Sequence, residues 1–270
     1  MRLPAALHEP MRSEHLARLR ASLAKAQLLS KEEIVALGHG PADACLKGGL
    51  RRGACHEVFA QPGHETAATG FAAGLCARFA ARKPILWIRQ DYCALEFGEL
   101  AATGLLELGI DPSRMLLLRV AHAEDALRAA SDALTCKELG AVVIELSGEP
   151  RILDLTASRR LTLACAQTNV TALLLRFAAR PDASSAETRW RIRGVPSPRD
   201  EDWGQPIFEA ELVRNRHGGT GRWVMEWSCD DGLFRESQSR ESTAHRGTVV
   251  PAPFDRPAAA APQQGSRSAA

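Results

Sequence analysis

His56-Glu57-Val58-Phe59-Ala60-Gln61-Pro62-Gly63-His64-Glu65-Thr66-Ala67 reads as a short strand, a loop and the start of a helix. The helix continues in small residues to about Arg82. This strand–loop–helix stands where a phosphate loop of the form G-x-x-x-x-G-K-[ST] would stand. In the working motif, glycines let backbone N–H groups curl around phosphate oxygens, a lysine neutralises charge, and a hydroxyl holds Mg²⁺. Here the two glycine positions hold Ala60 and Glu65, the lysine position Thr66 and the hydroxyl position Ala67. A carboxylate at Glu65 adds negative charge where phosphate would arrive. What remains of a nucleotide site is Gly63, His64, Thr66 and a distant acid, Glu145. The expectation is that neither ATP nor any other cofactor binds, and that the chain is not an enzyme.

Outward from that segment, apolar runs of strand length recur at Ile85–Ile88, Met115–Val120, Ala141–Glu145 and Val170–Leu175. Helical stretches alternate with them, at Phe97–Leu108, Ala123–Leu139 and Leu153–Gln167. Continuous apolar strands separated by helices of ten or more residues mean βαβ units and a parallel sheet covered on both faces. After Arg176 the pattern changes. Ala186–Gly194, Phe208–Arg216 and Arg222–Ser228 read as half-exposed strands, an antiparallel extension of the sheet. Trp223 and Trp227 lie an even number of residues apart and so share a strand face, which suits core packing better than base stacking.

Upstream, Ser13–Ala36 reads as a helix with Leu16, Leu19 and Leu23 as a narrow stripe between Arg18, Arg20 and Lys25. The stripe suits a partner-docking arm as well as a core helix. From about Arg235 the chain is Ser, Arg, Ala, Pro and Gln, the composition of a disordered tail. The expected organisation is a helical arm over 1–44, a core over 45–234 and a tail over 235–270.

The chain has 270 residues, 45% hydrophobic and 24% charged, with net charge +2, which is too mild for a DNA-coating protein. Its seven cysteines, Cys45, Cys55, Cys76, Cys93, Cys136, Cys165 and Cys229, include no C-x-x-C pair and sit among apolar residues. They read as reduced thiols, not as a disulfide framework or a zinc site. The eight histidines form no metal-ligand spacing, and no metal is expected. Neither a signal sequence nor a membrane span is read, so the expected location is the cytoplasm.

Two acids close predicted strands. Glu145 stands where a Mg²⁺-side acid would, and Asp91 where a water-activating acid would. Without a hydroxyl at position 67 the plainer readings are preferred: a solvent-facing or capping carboxylate for Glu145, and a polar turn for Gln90-Asp91-Tyr92. Ser147 lacks the glycine that precedes a nucleophile elbow. His56 and His64 read as structural.

The order Gly49-Leu50-Arg51-Arg52-Gly53, Glu57-Val58-Phe59, Ile85-Leu86-Trp87-Ile88 and Val142-Val143-Ile144-Glu145 resembles a RecA core. Two later runs are more specific: Glu187-Thr188-Arg189-Trp190-Arg191-Ile192, and Glu211-Leu212-Val213-Arg214-Asn215-Arg216-His217-Gly218-Gly219-Thr220-Gly221 followed by Trp223-Val224-Met225-Glu226-Trp227. They are similar to the ImuA family of bacterial mutagenesis proteins, over about residues 45–230. The resemblance implies a RecA-like, non-catalytic accessory factor in SOS-induced, error-prone translesion synthesis. Its implied partners are an ImuB-type Y-family-like protein and, indirectly, an error-prone C-family DNA polymerase. An atypical ATPase using Gly63, Thr66 and Glu145, or a regulator of RecA filaments or of a division protein, are the alternatives. Arg189, Arg191, Arg214 and Arg216, with Arg193 and Arg222, lie on or beside the predicted strands. They suit contact with DNA phosphates or an acidic partner, or equally a solvated face of cross-strand ion pairs.

Overall fold

The computed structural model describes residues 34–197 and 204–237. Leu16, Leu19 and Leu23 and most of the expected tail lie outside the described residues. The chain is α/β: one large mixed sheet, mostly parallel, with antiparallel strands at its C-terminal end and helices on both faces.

The strands are β1 (Ile34–Val35), β2 (Leu50–Arg51), β3 (Cys55–Ala60), β4 (Ile85–Gln90), β5 (Met115–Val120), β6 (Ala141–Ser147), β7 (Thr171–Phe177), β8 (Thr188–Val195), β9 (Ile207–Asn215), β10 (Gly221–Ser228) and β11 (Leu233–Glu236). The helices are α1 (Gly40–Cys45), α2 (Glu65–Ala80), α3 (Asp91–Phe97), α4 (Ala102–Glu107), α5 (Ala123–Ala133) and α6 (Leu155–Thr168). β1 and β2 form a small antiparallel pair. The other nine strands lie in the order β11-β10-β9-β8-β3-β7-β6-β4-β5. From β8 to β5 every neighbouring pair is parallel, and from β8 to β11 every pair is antiparallel. The RecA-like reading holds in this arrangement, with β3 at the centre between β7 and β8.

Alternation along the strands separates two cores. One face packs Val58, Trp87, Val143, Leu175, Trp190, Phe208, Met225 and Trp227 against α2. The other packs Ile88, Ile144, Leu174 and Cys55 against α5 and α6. The small residues of α2 have a physical reason. A Cβ on Gly74 would meet the Trp227 ring at 2.9 Å, and one on Gly70 would meet Phe208 at 3.4 Å. The helix therefore lies close against an aromatic wall in which Trp227 and Phe234 stack edge to face at 4.9 Å. Trp227 is buried and Trp223 packs partly against the same core, so the shared face is a packing face.

Several boundaries differ from the sequence reading. The expected helix to Ala36 is a strand at Ile34–Val35, which pairs with β2. Val35, Leu37 and Ala42 belong to the core, although 1–44 was expected as an arm. Of the helix expected over Phe97–Leu108, Ala102–Glu107 is helical as α4, while Phe97 is the last residue of α3, which Gly98 ends with a φ of 82°. Asp91, expected in a polar turn, is instead the first residue of α3. α5 stops at Ala133, six residues short of expectation. Arg235 and Glu236, expected in the tail, are the second half of β11, anchored by the buried Phe234 beside them.

Candidate functional site

β3 ends at Ala60 and α2 begins at Glu65, leaving four residues to connect them. These form a tight turn. The His64 N–H donates to the Gln61 carbonyl at 2.9 Å, with Pro62 second and Gly63 third at φ 80°. Pro followed by a residue with positive φ is the requirement of a type II turn. No atom crowds a Cβ built on Gly63, so glycine is needed there for its backbone angle alone.

The turn uses its own donors. The Gln61 N–H goes to the Ile192 carbonyl at 3.0 Å. The Gly63 N–H goes to Glu65 Oε1 at 3.3 Å, and the Gly194 N–H goes to His64 Nδ1 at 3.3 Å. Thr66 is exposed on the first turn of α2. The N–H groups that a phosphate loop would aim at an anion are thus partly spent on a side-chain carboxylate and on backbone carbonyls.

Glu145 is not the solvent-facing or capping carboxylate that was preferred. It is fully buried and faces Arg89 in register on β4. Arg89 Nε donates to its Oε1 at 2.8 Å, and Trp87 Nε1 donates to its Oε2 at 2.8 Å. Burial pushes the Glu145 carboxyl up, against the pull of Arg89 and the Trp87 donor. Arg89 Nη2 also donates to the Cys93 carbonyl at 3.3 Å, and its Nη1 lies 3.7 Å from Glu99. Arg119 then joins Glu99 to Asp91, so the charges run from the interior to the surface. Arg89 was missed by the sequence reading. A cation two residues after Trp87, inside an otherwise apolar strand, was the available signal.

The arginines named from the sequence divide into different tasks. Arg189 is buried; its Nε donates to Glu57 Oε2 at 2.6 Å, its Nη2 to the Asp182 carbonyl, and its guanidinium lies 5.4 Å from the Phe59 ring. Arg176 approaches that ring at 5.6 Å; burial lowers its pKa. Arg214 is opposite Arg189 in register, but its Nη1 donates to the Ser184 carbonyl at 2.7 Å. Both therefore hold the segment between β7 and β8 onto the sheet. Arg191 pairs with Glu211 at 3.1 Å, and Arg193 with Glu209 at 2.7 Å, each directly across from β8 to β9. Arg222 reaches Glu209 from β10. Burial works against the Glu209 charge, but hydrogen bonds from Arg193 and Arg222 win and hold its carboxyl below the usual value. Arg216 is exposed at the β9–β10 hairpin.

The two specific runs of sequence turn out to be internal fittings. Thr188 Oγ1 accepts from Trp190 Nε1 at 3.1 Å and donates to His56 Nδ1 at 2.8 Å. His56 Nε2 in turn donates to the Arg51 carbonyl at 2.9 Å. Those partners fix the neutral tautomer, and burial lowers the His56 pKa to about 4. In the second run, Asn215 Nδ2 donates to the Gly219 carbonyl and Asn215 Oδ1 accepts from the His217 N–H, which close the hairpin. A Cβ on Gly218 would meet both Asn215 Nδ2 and the Cys45 carbonyl at 2.5 Å, and one on Gly221 would meet the Trp223 ring at 2.5 Å.

Among the described residues, no group of three His, Cys, Asp or Glu is placed to hold a metal ion, and no helix is long and apolar enough to cross a membrane.

No protein-family model matches the chain. It is 31% identical over 212 residues to "Protein ImuA" of Caulobacter vibrioides (strain NA1000 / CB15N), a match covering 72% of this chain and 83% of that protein. The "Protein ImuA" of Caulobacter vibrioides (strain ATCC 19089 / CIP 103742 / CB 15) matches with the same identity and coverage.

Proposed function

We propose, on the premise that this chain belongs to the ImuA family, that it is a non-catalytic accessory factor in SOS-induced, error-prone translesion DNA synthesis. It acts beside an ImuB-type protein and, through it, an error-prone C-family polymerase, in the cytoplasm. The observation that carries the non-catalytic reading is the turn after β3, where the Glu65 carboxylate takes the Gly63 N–H. An incoming phosphate would have to displace that carboxylate and then lie beside it. The state of Glu145 supports the same reading, because both its oxygens already accept from Trp87 and Arg89. A carboxylate buried in that way, with each oxygen already bound to an internal donor, is withdrawn from the surface where a metal-bound water would stand.

Two measurements test this. Titration of the full chain with a fluorescent ATP analogue and Mg²⁺ should show no saturable binding. Saturable binding, with turnover lost in Glu145→Gln, would replace the accessory reading with an ATPase. Separately, the chain should co-purify with an ImuB-type protein from DNA-damaged cells, and its absence from the complex would remove the partner assignment. Deleting residues 1–33 takes away Leu16, Leu19 and Leu23 while sparing the core residues Val35 and Leu37. If that segment is the docking arm, the deletion abolishes co-purification and leaves the fold intact. DNA contact falls to Arg191, Arg193, Arg216 and Arg222, which keep exposed side chains.

A further inference from the structure

Among the described residues, β5 is the last strand of the large sheet, paired on one side only, to β4, along its whole length from Met115 to Val120. No described strand pairs with its outer N–H and C=O groups. Its side chains are bare as well: Leu116, Leu117 and Leu118 are 61%, 42% and 38% exposed. Leu117 lies on the Trp87 side of the sheet; Leu116 and Leu118 lie on the α5 side. Three consecutive exposed leucines on a sheet edge thus leave apolar surface on both faces at once. Edge strands are ordinarily blunted by lysine, proline, a bulge or a covering element. The strand Met-Leu-Leu-Leu-Arg-Val contains no lysine or proline, and its register with β4 runs without a bulge. Its single charge, Arg119, is already neutralised by Asp91 and Glu99.

We propose that β5 is a homodimer edge: two copies of this chain pair their β5 strands antiparallel about a two-fold axis at Leu117. This pairing sets Leu117 against its symmetry mate and Leu116 against Leu118, so each exposed leucine meets a leucine on its own face of the joined sheet. Arg119 falls opposite Met115, which keeps the two guanidiniums apart. The flanking charges favour a second copy of this chain over an arbitrary strand. Arg114 stands just before β5, tethered to Asp111 and to the Arg82 carbonyl. Glu124 and Asp125 stand just after it, in the first turn of α5. An antiparallel pair brings the beginning of one β5 beside the finish of the other, and so brings Arg114 of each copy towards the acidic turn of its mate.

Analytical ultracentrifugation of the full chain, from micromolar concentration upwards, tests the proposal. The expected result is a monomer–dimer equilibrium. In Leu117→Lys the dissociation constant rises roughly tenfold or more, while Leu163→Lys, a change at a still more exposed leucine on α6, leaves it unchanged. Circular dichroism establishes that both variants fold. As a second readout, Leu117→Cys in a Cys136→Ser background gives a covalent dimer with a short bis-maleimide, and Leu163→Cys does not. A wild-type chain that stays monomeric throughout overturns the proposal, as does a Leu117→Lys variant that dimerises as tightly as wild type. So does cross-linking that is equal at positions 117 and 163.

Discussion

Arg89 and Glu145 sit directly opposite one another on adjacent parallel strands, both withdrawn from solvent and joined by a 2.8 Å hydrogen bond. A pair of this kind gains little over an apolar pair, but losing one partner is costly because the other charge is stranded in the interior. Glu145→Gln is therefore expected to destabilise the fold by about 3 kcal/mol, read as a lower urea midpoint. The double variant Arg89→Met, Glu145→Gln should recover much of that loss. A single variant as stable as wild type would mean that the pair is solvated.

Arg189 and Arg191 are two residues apart on one strand yet predict opposite outcomes. Arg189→Met leaves Glu57 buried without its cation and should cost about 3 kcal/mol. Arg191→Ala breaks a half-exposed pair with Glu211 and should cost less than about 1 kcal/mol. Guanidinium chloride melts of the two variants, compared at a fixed protein concentration, decide it. If Arg191 touches DNA, its variant loses affinity in a salt-dependent manner with its stability unchanged.

His56 ties stability to pH. Its neutral ring accepts from Thr188 and donates to the Arg51 carbonyl, and its pKa is lowered to about 4 against an ordinary 6.5. The unfolded chain therefore binds a proton between those values that the folded chain refuses. Stability contributed by the neutral ring is complete above pH ~6.5 and falls as the pH drops towards ~4, by about 3 kcal/mol in all. His56→Gln should flatten this limb of the stability–pH curve. A curve of unchanged slope in that variant would assign the acid sensitivity to other groups.

Two glycines separate backbone demand from space demand. Gly63→Ala meets no neighbour and bears only the cost of a positive φ, about 1 kcal/mol. Gly218→Ala would press on Asn215 and on the Cys45 carbonyl, so the hairpin must open to admit it. The expected loss is about twice as large or more. Thermal melts of the two variants side by side would show whether the order is reversed.

Most of the architecture was legible because β4, β6 and β7 are short, mainly apolar runs between helices, a pattern that a covered parallel sheet satisfies. The helix breaks were not. Gly98 ends α3 through its backbone angle, while the apolar periodicity of the flanking residues carries on past it. β11 was hidden because Arg235 and Glu236 are exposed, and only Phe234 of the strand enters the core. At the site, the departures at Glu65, Thr66 and Ala67 were plain from residue identity. The burial of Glu145 was not, since it depends on Arg89, which lies 56 positions earlier and faces it only once β4 and β6 are neighbours.

The placement of β3 also bears on how the chain is made. β3 emerges early, yet both strands that flank it, β7 and β8, follow more than a hundred residues later. At ordinary rates of synthesis this interval is on the order of ten seconds. For that time the nascent chain carries, with two open edges, a strand that the finished sheet buries. The centre of the sheet is laid down first but enclosed only when β7 and β8 follow, so closing it waits for the ribosome to pass Val195, and a chain stalled before that point leaves its central strand open.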